Sequence, residues 1–303
     1  MRGSGDAFVT CRDGHRHWGR HGAAGLLLGA SGRTLLQHRA PWTHEGGTWS
    51  VPGGARDDHE DVVTAALREA AEEAGLAPAD VAPVGWSVAD HGAWSYTTVV
   101  ADLAAGRPAP AVHARNAEST QVRWWADGEV DGLALHAGLA ASWPALRRRP
   151  APLVVVVDLA NVMGSRPDGW WRDRAGAAGR WWGELVGWVG RGVRDLPAGV
   201  EAGALTALTP RVRVVLEGAA RAARTPAPDG GAGGWAARLV TAVRAAGSGD
   251  DAVLATAADV PAGHQVAVVT ADRGLRDRVA AHVPAATVVG PRWLLDATAP
   301  RPA

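Results

Sequence analysis

The 303-residue chain is long for one compact domain and suits two of roughly 150 residues each. Its 31 arginines balance 31 acidic residues, split 14 against 17 in residues 1–150 and therefore 17 against 14 in 151–303, so neither half argues for nucleic acid from charge alone. Lys and Ile are absent, a coding bias rather than a binding preference, and the single cysteine, Cys11, excludes a disulfide framework or a zinc site built mainly from Cys.

Residues 1–20 are polar and Gly-rich and read as a ragged lead-in with no apolar core, so no secretory signal is expected. The longest β-branched run, Val154 to Val157, falls far short of a membrane span. A soluble, cytoplasmic protein without membrane partners is the expectation, and the eleven histidines show no metal-ligand spacing. Ala23–Leu28 and Arg33–His38 read as two strands joined by an Ala-Ser-Gly turn. Pro41 to Gly54 forms a loop and short strand ending in Pro-Gly-Gly. A helix follows from about Asp61 to Ala74 and stops at Gly75, a residue suited to the left-handed cap, with Pro78 just beyond. Val62, Ala65, Ala66 and Ala70 form its apolar face, with Leu67 and Leu76 adding to the core.

The same helix carries chemistry. Glu69, Glu72 and Glu73 are spaced i, i+3, i+4, which puts their Cβ atoms about 5–6 Å apart. Bare carboxylates this close repel one another, and a hard divalent cation such as Mg²⁺ or Mn²⁺ reverses the sign of the interaction. Arg68 stands among them, where its fork can hold a carboxylate in a fixed rotamer.

The stretch from Gly54 through Glu60 and Arg68-Glu69-Ala-Ala-Glu72-Glu73-Ala-Gly75-Leu76 resembles the signature of the Nudix hydrolases, G-x5-E-x7-R-E-U-x-E-E-x-G-U with U aliphatic. Only Ala70 is smaller than usual. The resemblance implies an α/β/α sandwich with a mixed sheet over residues 1–148. It also implies hydrolysis of the diphosphate linkage in a nucleoside diphosphate linked to a group X, nucleoside triphosphates first and ADP-ribose-like dinucleotides next. Glu72 and Glu73 would hold the cation and Glu69 would act as ligand or base. The Gly53 carbonyl and Glu118, in a loop before a strand at Gln121–Ala126, are further contacts by the same resemblance. Glu60 would secure the loop. Arg39 and Trp49 are candidates for the substrate, as is Trp42, with packing the alternative for both tryptophans. Trp94–Leu103 reads as a further strand, and His136 to Leu146 as a closing helix.

Arg147-Arg-Arg-Pro-Ala-Pro152 marks a boundary, with a second domain over residues 149–303. There, Val-dominated runs at Leu153–Val157, Val212–Leu216, Val266–Thr270 and Thr287–Val289 alternate with helical stretches around Ala175–Arg191, Trp235–Ala246, Asp250–Ala258 and Leu275–His282. That is a βαβ layout with a mainly parallel sheet. Asp158, Asn161, Asp251 and Asp272 fall near carboxyl ends of strands or the start of a helix, where such sheets gather ligands. This half resembles the PIN-like nucleases, particularly the NYN branch, which implies a divalent metal site and RNA as a partner. A non-catalytic nucleotide- or RNA-binding module is the alternative. Trp170 and Trp171 could stack bases, while Trp181, Trp182 and Trp188 fill a core otherwise short of aromatics.

Overall fold

The computed structural model describes residues 3–12, 14–227 and 234–299. They form two compact units, Met1–Arg149 with Gly203–Ala207 and Asp229–Trp235, and Pro150–Ala202 with Leu208–Pro228 and Ala236–Ala303. None of the described helices is long and apolar enough to cross a membrane.

The first unit contains β1 (Phe8–Thr10), β2 (Arg16–Trp18), β3 (Ala23–Ala30), β4 (Arg33–Arg39), β5 (Trp49–Ser50), β6 (Gly53–Ala55), α1 (Val62–Ala74), β7 (Val81–Asp90), β8 (Ser95–Leu103), β9 (Ser119–Ala126) and α2 (Ala137–Leu146). Its mixed sheet runs β7–β8–β3–β4–β5, with β6 added on β3 and β9 on β4. β3 and β8 are parallel, and the connection between them carries α1. Leu26, Leu27 and Leu28 of β3 are fully buried, as are Leu35 and Leu36 of β4. Small side chains on α1, with Ala65, Ala66 and Ala70 at 0% exposure, let the helix sit close on this sheet.

Three sequence expectations change here. The segment expected as a ragged lead-in pairs as the antiparallel hairpin β1–β2, Phe8 opposite Trp18. Val63, not Val62, is the buried valine at the start of α1. β7 was missed because Pro83 and Gly85, which usually break strands, stand inside it; the register shifts between them, so the irregularity is absorbed as a bulge.

Asp61 caps α1, its side chain accepting from the Val63 and Thr64 amides. Trp235, whose segment clusters with this unit, also donates its indole N–H to the Asp61 carboxylate at 3.2 Å. Gly75 ends the helix at φ +74, a conformation that favours glycine.

The later elements are β10 (Leu153–Asp158), α3 (Leu159–Gly164), α4 (Arg174–Arg191), the two-residue β11 (Ala207–Leu208), β12 (Arg211–Leu216), the single turn α5 (Trp235–Arg238), β13 (Val240–Arg244), α6 (Gly249–Ala258), β14 (Gln265–Val269), α7 (Arg273–His282), β15 (Ala286–Val289) and α8 (Pro291–Thr298). The sheet of the second unit, β13–β12–β10–β14–β15, is parallel throughout. From β10 the chain first builds outward through β12 and β13, then crosses to β14 and β15 on the other side. The strand order therefore reverses beside β10, and its carboxyl end opens at that switch. The helix expected over Trp235–Ala246 lasts only through Arg238; Val240–Arg244 is an edge strand on β12, a place that suits its β-branched residues.

Candidate active site and a second acidic cavity

The Glu-rich face of α1 lies against β6 and the turn that feeds it. Gly53 donates its amide to Glu73 Oε2 at 2.8 Å, which fixes that carboxylate over the Pro-Gly-Gly turn. Glu73 is 3% exposed. A side chain at Gly54 would put its Cβ 2.5 Å from Glu69 Oε1, so the second glycine leaves room for that carboxylate. Arg68 organises the rest. Its Nε and Nη2 reach Glu60 Oε1 and Oε2 at 2.8 and 3.0 Å, Nη2 also reaches the Ala55 carbonyl at 2.9 Å, and Nη1 reaches Glu69 Oε1 at 2.8 Å. Glu72 is farther out, 3.4 Å from Arg68 Nη1 and mostly exposed.

The electrostatics follow from this packing. Burial pushes the Glu73 carboxyl up to about 8, helped by the charge of Glu69 and opposed by the Gly53 amide. Burial likewise pushes Glu69 up to about 7, against the pull of Arg68. Glu118 raises both through its charge, which places the loop before β9 within electrostatic reach of the helix. Glu60 behaves in the opposite way. Its burial is more than offset by the bonds from Arg68 and the Asp57 amide, and its carboxyl is held low. Glu60 is thus a committed partner of Arg68, whereas Glu69 and Glu73 are carboxylates whose charge the protein itself leaves under-compensated. All-oxygen donors in that condition fit a hard divalent cation.

Beside the box opens a cavity of about 730 Å³, lined among others by Arg39, Gly53, Tyr96, His17 and His136. Trp49 is not part of this lining; it meets Trp125 edge-on at 5.1 Å and His38 at 4.9 Å. Trp42 stands in the β4–β5 loop at 72% exposure. The histidines, without metal spacing in the sequence, converge here. Among the described residues, the one trio of His, Cys, Asp or Glu whose ligand atoms all lie within 4.8 Å of one another is His44, Glu45 and His136. Its hydrogen bonds assign it a local role. Glu45 accepts from the Ala137 amide at 2.7 Å and His136 Nδ1 from the Gly138 amide at 3.1 Å, so the β4–β5 loop is fastened to the start of α2. An imidazole whose Nδ1 accepts carries its proton on Nε2 when neutral, and that nitrogen faces Glu45 Oε2 at 3.7 Å. No sequence spacing could reveal a trio drawn from residues 44, 45 and 136.

In the second unit, Asp158, Asn161, Glu217, Asp250 and Asp272 line a cavity of about 450 Å³ at the strand-order switch. Asp158 Oδ1 accepts from the Asn161 amide at 3.1 Å and Oδ2 from the Thr270 hydroxyl at 2.9 Å. The Asn161 side chain in turn accepts from the Ala271 amide at 3.0 Å, tying the first turn of α3 to the segment just after β14. Burial raises the Asp158 carboxyl despite these bonds, and burial with the charge of Asp272 raises Asp250. Asp251, the sequence candidate, points away and pairs with Arg278. Its neighbour Asp250 faces the cavity instead, since successive helix residues are about 100° apart. Glu217, which sequence reading passed over, enters because β12 lies next to β10 and so ends at the same edge. Trp181, Trp182 and Trp188 of α4 are buried, while Trp171 is 54% exposed and Arg174 lies over the Trp170 ring at 5.2 Å.

Comparison with known proteins places likeness on the first unit. The NUDIX domain model matches residues 19–145. A Mycobacterium tuberculosis (strain H37Rv) protein named "Putative 8-oxo-dGTP diphosphatase 3" is 49% identical over 162 residues, spanning 50% of this chain and 73% of that protein. A Bifidobacterium longum "Nucleoside triphosphate pyrophosphatase/Nudix hydrolase fusion protein" is 40% identical over 154 residues, 48% of this chain and 31% of that one. Among solved structures, a Nudix hydrolase from M. smegmatis, RenU, shares 47% identity over 47% of this chain and 93% of its own, with a TM-score of 0.43.

Proposed function

Because the chain belongs to the Nudix hydrolase family, we propose that residues 1–148 are a domain that hydrolyses nucleoside triphosphates, with oxidised guanine nucleotides the first substrate and ADP-ribose-like dinucleotides the next. The observation that carries this reading is the pair of under-compensated carboxyls, half-buried Glu69 and buried Glu73, held at the glycine turn beside a nucleotide-sized cavity. The name of the M. tuberculosis relative supports the choice of oxidised guanine.

Glu72 and Glu73 would hold Mg²⁺ or Mn²⁺, with the Gly53 carbonyl and Glu118 as further donors and Glu69 as ligand or base. A bound divalent cation supplies charge neutralisation for the diphosphate and lowers the pKa of water. Glu69 takes the proton of the attacking water, in keeping with a carboxyl poised near neutrality by burial. The water oxygen bonds to phosphorus as the bridging P–O bond breaks, and the products are nucleoside monophosphate and pyrophosphate. Arg68 keeps Glu69 in position, and Arg39 contacts the substrate from the cavity wall; Trp49 supports that wall. The protein would act in the cytoplasm.

The test is release of nucleoside monophosphate by the full-length protein with Mg²⁺ across a panel of triphosphates, dinucleotides and sugar nucleotides. Glu73→Gln keeps an acceptor for the Gly53 amide and should lower turnover by about two orders of magnitude or more with the melting temperature preserved. Unchanged turnover would sink the assignment.

The second cavity favours a separate activity. Residues 149–303 would be a PIN-like domain of the NYN kind, with Asp158, Asp250 and Asp272 as metal ligands, Glu217 as a fourth acid and Asn161 positioning the first. Clustered carboxylates of this sort suit metal-dependent phosphodiester hydrolysis. Labelled single-stranded RNA with Mn²⁺ and the intact chain tests this reading: cleavage should vanish in Asp158→Asn. Binding without cleavage would leave this domain as a nucleotide- or RNA-binding module.

A further inference from the structure

The chain uses 15 tryptophans but one phenylalanine and one tyrosine. The single phenol therefore stands out in a composition that places Trp in nearly every aromatic position. Tyr96 sits on β8 opposite Ala23 of β3, and it lines the large cavity together with Arg39 and Gly53.

Gly25 leaves room for its hydroxyl, and Gly53, set by its close approach to the Gly25 Cα and the Ala24 carbonyl of β3, adds to the same gap. A Cβ at Gly25 would lie 2.1 Å from Tyr96 Oη, and one at Gly53 would lie 3.1 Å away. Gly25 is in the middle of β3, between Ala24 and Leu26, both fully buried. Glycine in a strand interior costs stability and often marks a place where another group must approach closely. Here the nearest group is the phenol oxygen, with a Val51 methyl next at 2.8 Å. Gly25 and Gly53 face each other across the β3–β6 pair, so the oxygen lies over their junction. Gly53 is also the residue whose amide holds Glu73 at 2.8 Å. The hydroxyl is thus seated next to the carboxylate platform, in a slot that both strands leave open. Burial holds this phenol above its ordinary range, so at neutral pH the group is an O–H donor. A donor beside a guanidinium, facing carboxylates that call for a cation, is what a diphosphate oxygen requires.

We propose that Tyr96 is a substrate-contacting residue, its hydroxyl seated over the Gly25–Gly53 junction and donating a hydrogen bond to a non-bridging oxygen of the substrate's diphosphate. The proposal rests on the reading of residues 1–148 as a diphosphate hydrolase.

Inorganic pyrophosphate with Mg²⁺, titrated calorimetrically into the full-length protein, separates the two. Tyr96→Phe removes only the oxygen. It should weaken pyrophosphate binding about tenfold or more and raise KM for hydrolysed nucleotides more than it lowers kcat, with the melting temperature unchanged. Gly25→Ala should cause a similar loss in the wild-type background, because its methyl group meets the phenol oxygen. Pyrophosphate affinity within twofold of wild type in Tyr96→Phe would overturn the proposal, as would a wild-type protein that does not bind pyrophosphate. Failure of the nucleotide panel alone would count against the substrate reading and leave the pyrophosphate result to judge Tyr96.

Discussion

At the scale of single residues, Arg68 shows how one side chain can set the geometry of a site while itself remaining spoken for. It makes bonds to two carboxylates and a backbone carbonyl at 2.8 to 3.0 Å. Lysine carries the same charge on a compact point donor and cannot span Glu60 and Glu69 together. Arg68→Lys should therefore keep the fold yet cut turnover on the order of tenfold to a hundredfold, measured as kcat at saturating Mg²⁺. Equal kcat in the two proteins would show that Glu69 needs no such anchor. Much of this chemistry was legible in advance, because the spacing of Arg68, Glu69, Glu72 and Glu73 is local and a helix converts it directly into neighbours. Glu118 required a loop to return from fifty residues away, and Tyr96 required a strand to cross the sheet. Neither distance is written in local spacing.

At the scale of elements, α1 is fixed at its start by a carboxylate with several partners. Asp61 serves two amides of the first turn, the Thr64 hydroxyl at 2.8 Å and the Trp235 indole. Replacing it with alanine leaves the first-turn donors without their acceptor, at a cost of about 1–2 kcal/mol. Asp61→Ala should lower the melting temperature by a few degrees, read by circular dichroism, and a melt indistinguishable from wild type would show that water replaces the cap without loss. The elements also mark where sequence patterns mislead. Ala, Val and Arg populate both helices and strands in this composition, so nothing local in Val240–Arg244 separates a strand from a continuation of α5. Its pairing with β12, a contact nearly thirty residues distant, decides the matter. Asp250 and Asp251 were indistinguishable as adjacent acids at a helix start; only the rotation of α6 assigns one to the cavity and the other to Arg278.

At the scale of the whole molecule, the parallel sheet was foreshadowed by its strand pattern, and the mixed sheet by the resemblance of the first half to a known family. The segment 203–207, which clusters with the first unit despite lying in the second half of the sequence, was foreshadowed by neither. Contiguity along a chain is a weak guide once a loop has a partner elsewhere. Stability should also carry the imprint of the first site. Glu73 and Glu69 hold protons more tightly when folded than when unfolded, with carboxyls near 8 and 7. The folded state then binds more protons than the unfolded state between about pH 4.5 and 8, so stability falls as pH rises through that window. Melting of the metal-free protein should drop by about 4 °C or more from pH 6 to pH 8.5, and added Mg²⁺ should restore more at the higher pH. A melt that rises across this interval would contradict the described charge balance. Histidines elsewhere move oppositely: burial lowers His17 and His136, so they contribute stability in their neutral forms and lose it on acidification.

The bonds of Arg68 carry one more implication, for how this sequence can change over time. The guanidinium joins Ala55 at the end of β6, Glu60 at the approach to the helix and Glu69 on the helix itself. Three points along fifteen residues are therefore pinned to one rigid planar group. Between the pins, His59 is largely exposed and free to become almost any residue. What the intervening loop lacks is freedom to lengthen or shorten, because one inserted or deleted residue would pull at least one pin from the fork. Drift in this stretch should consist of replacements and not of gaps, and its fixed length acts as a ruler measured against a single arginine.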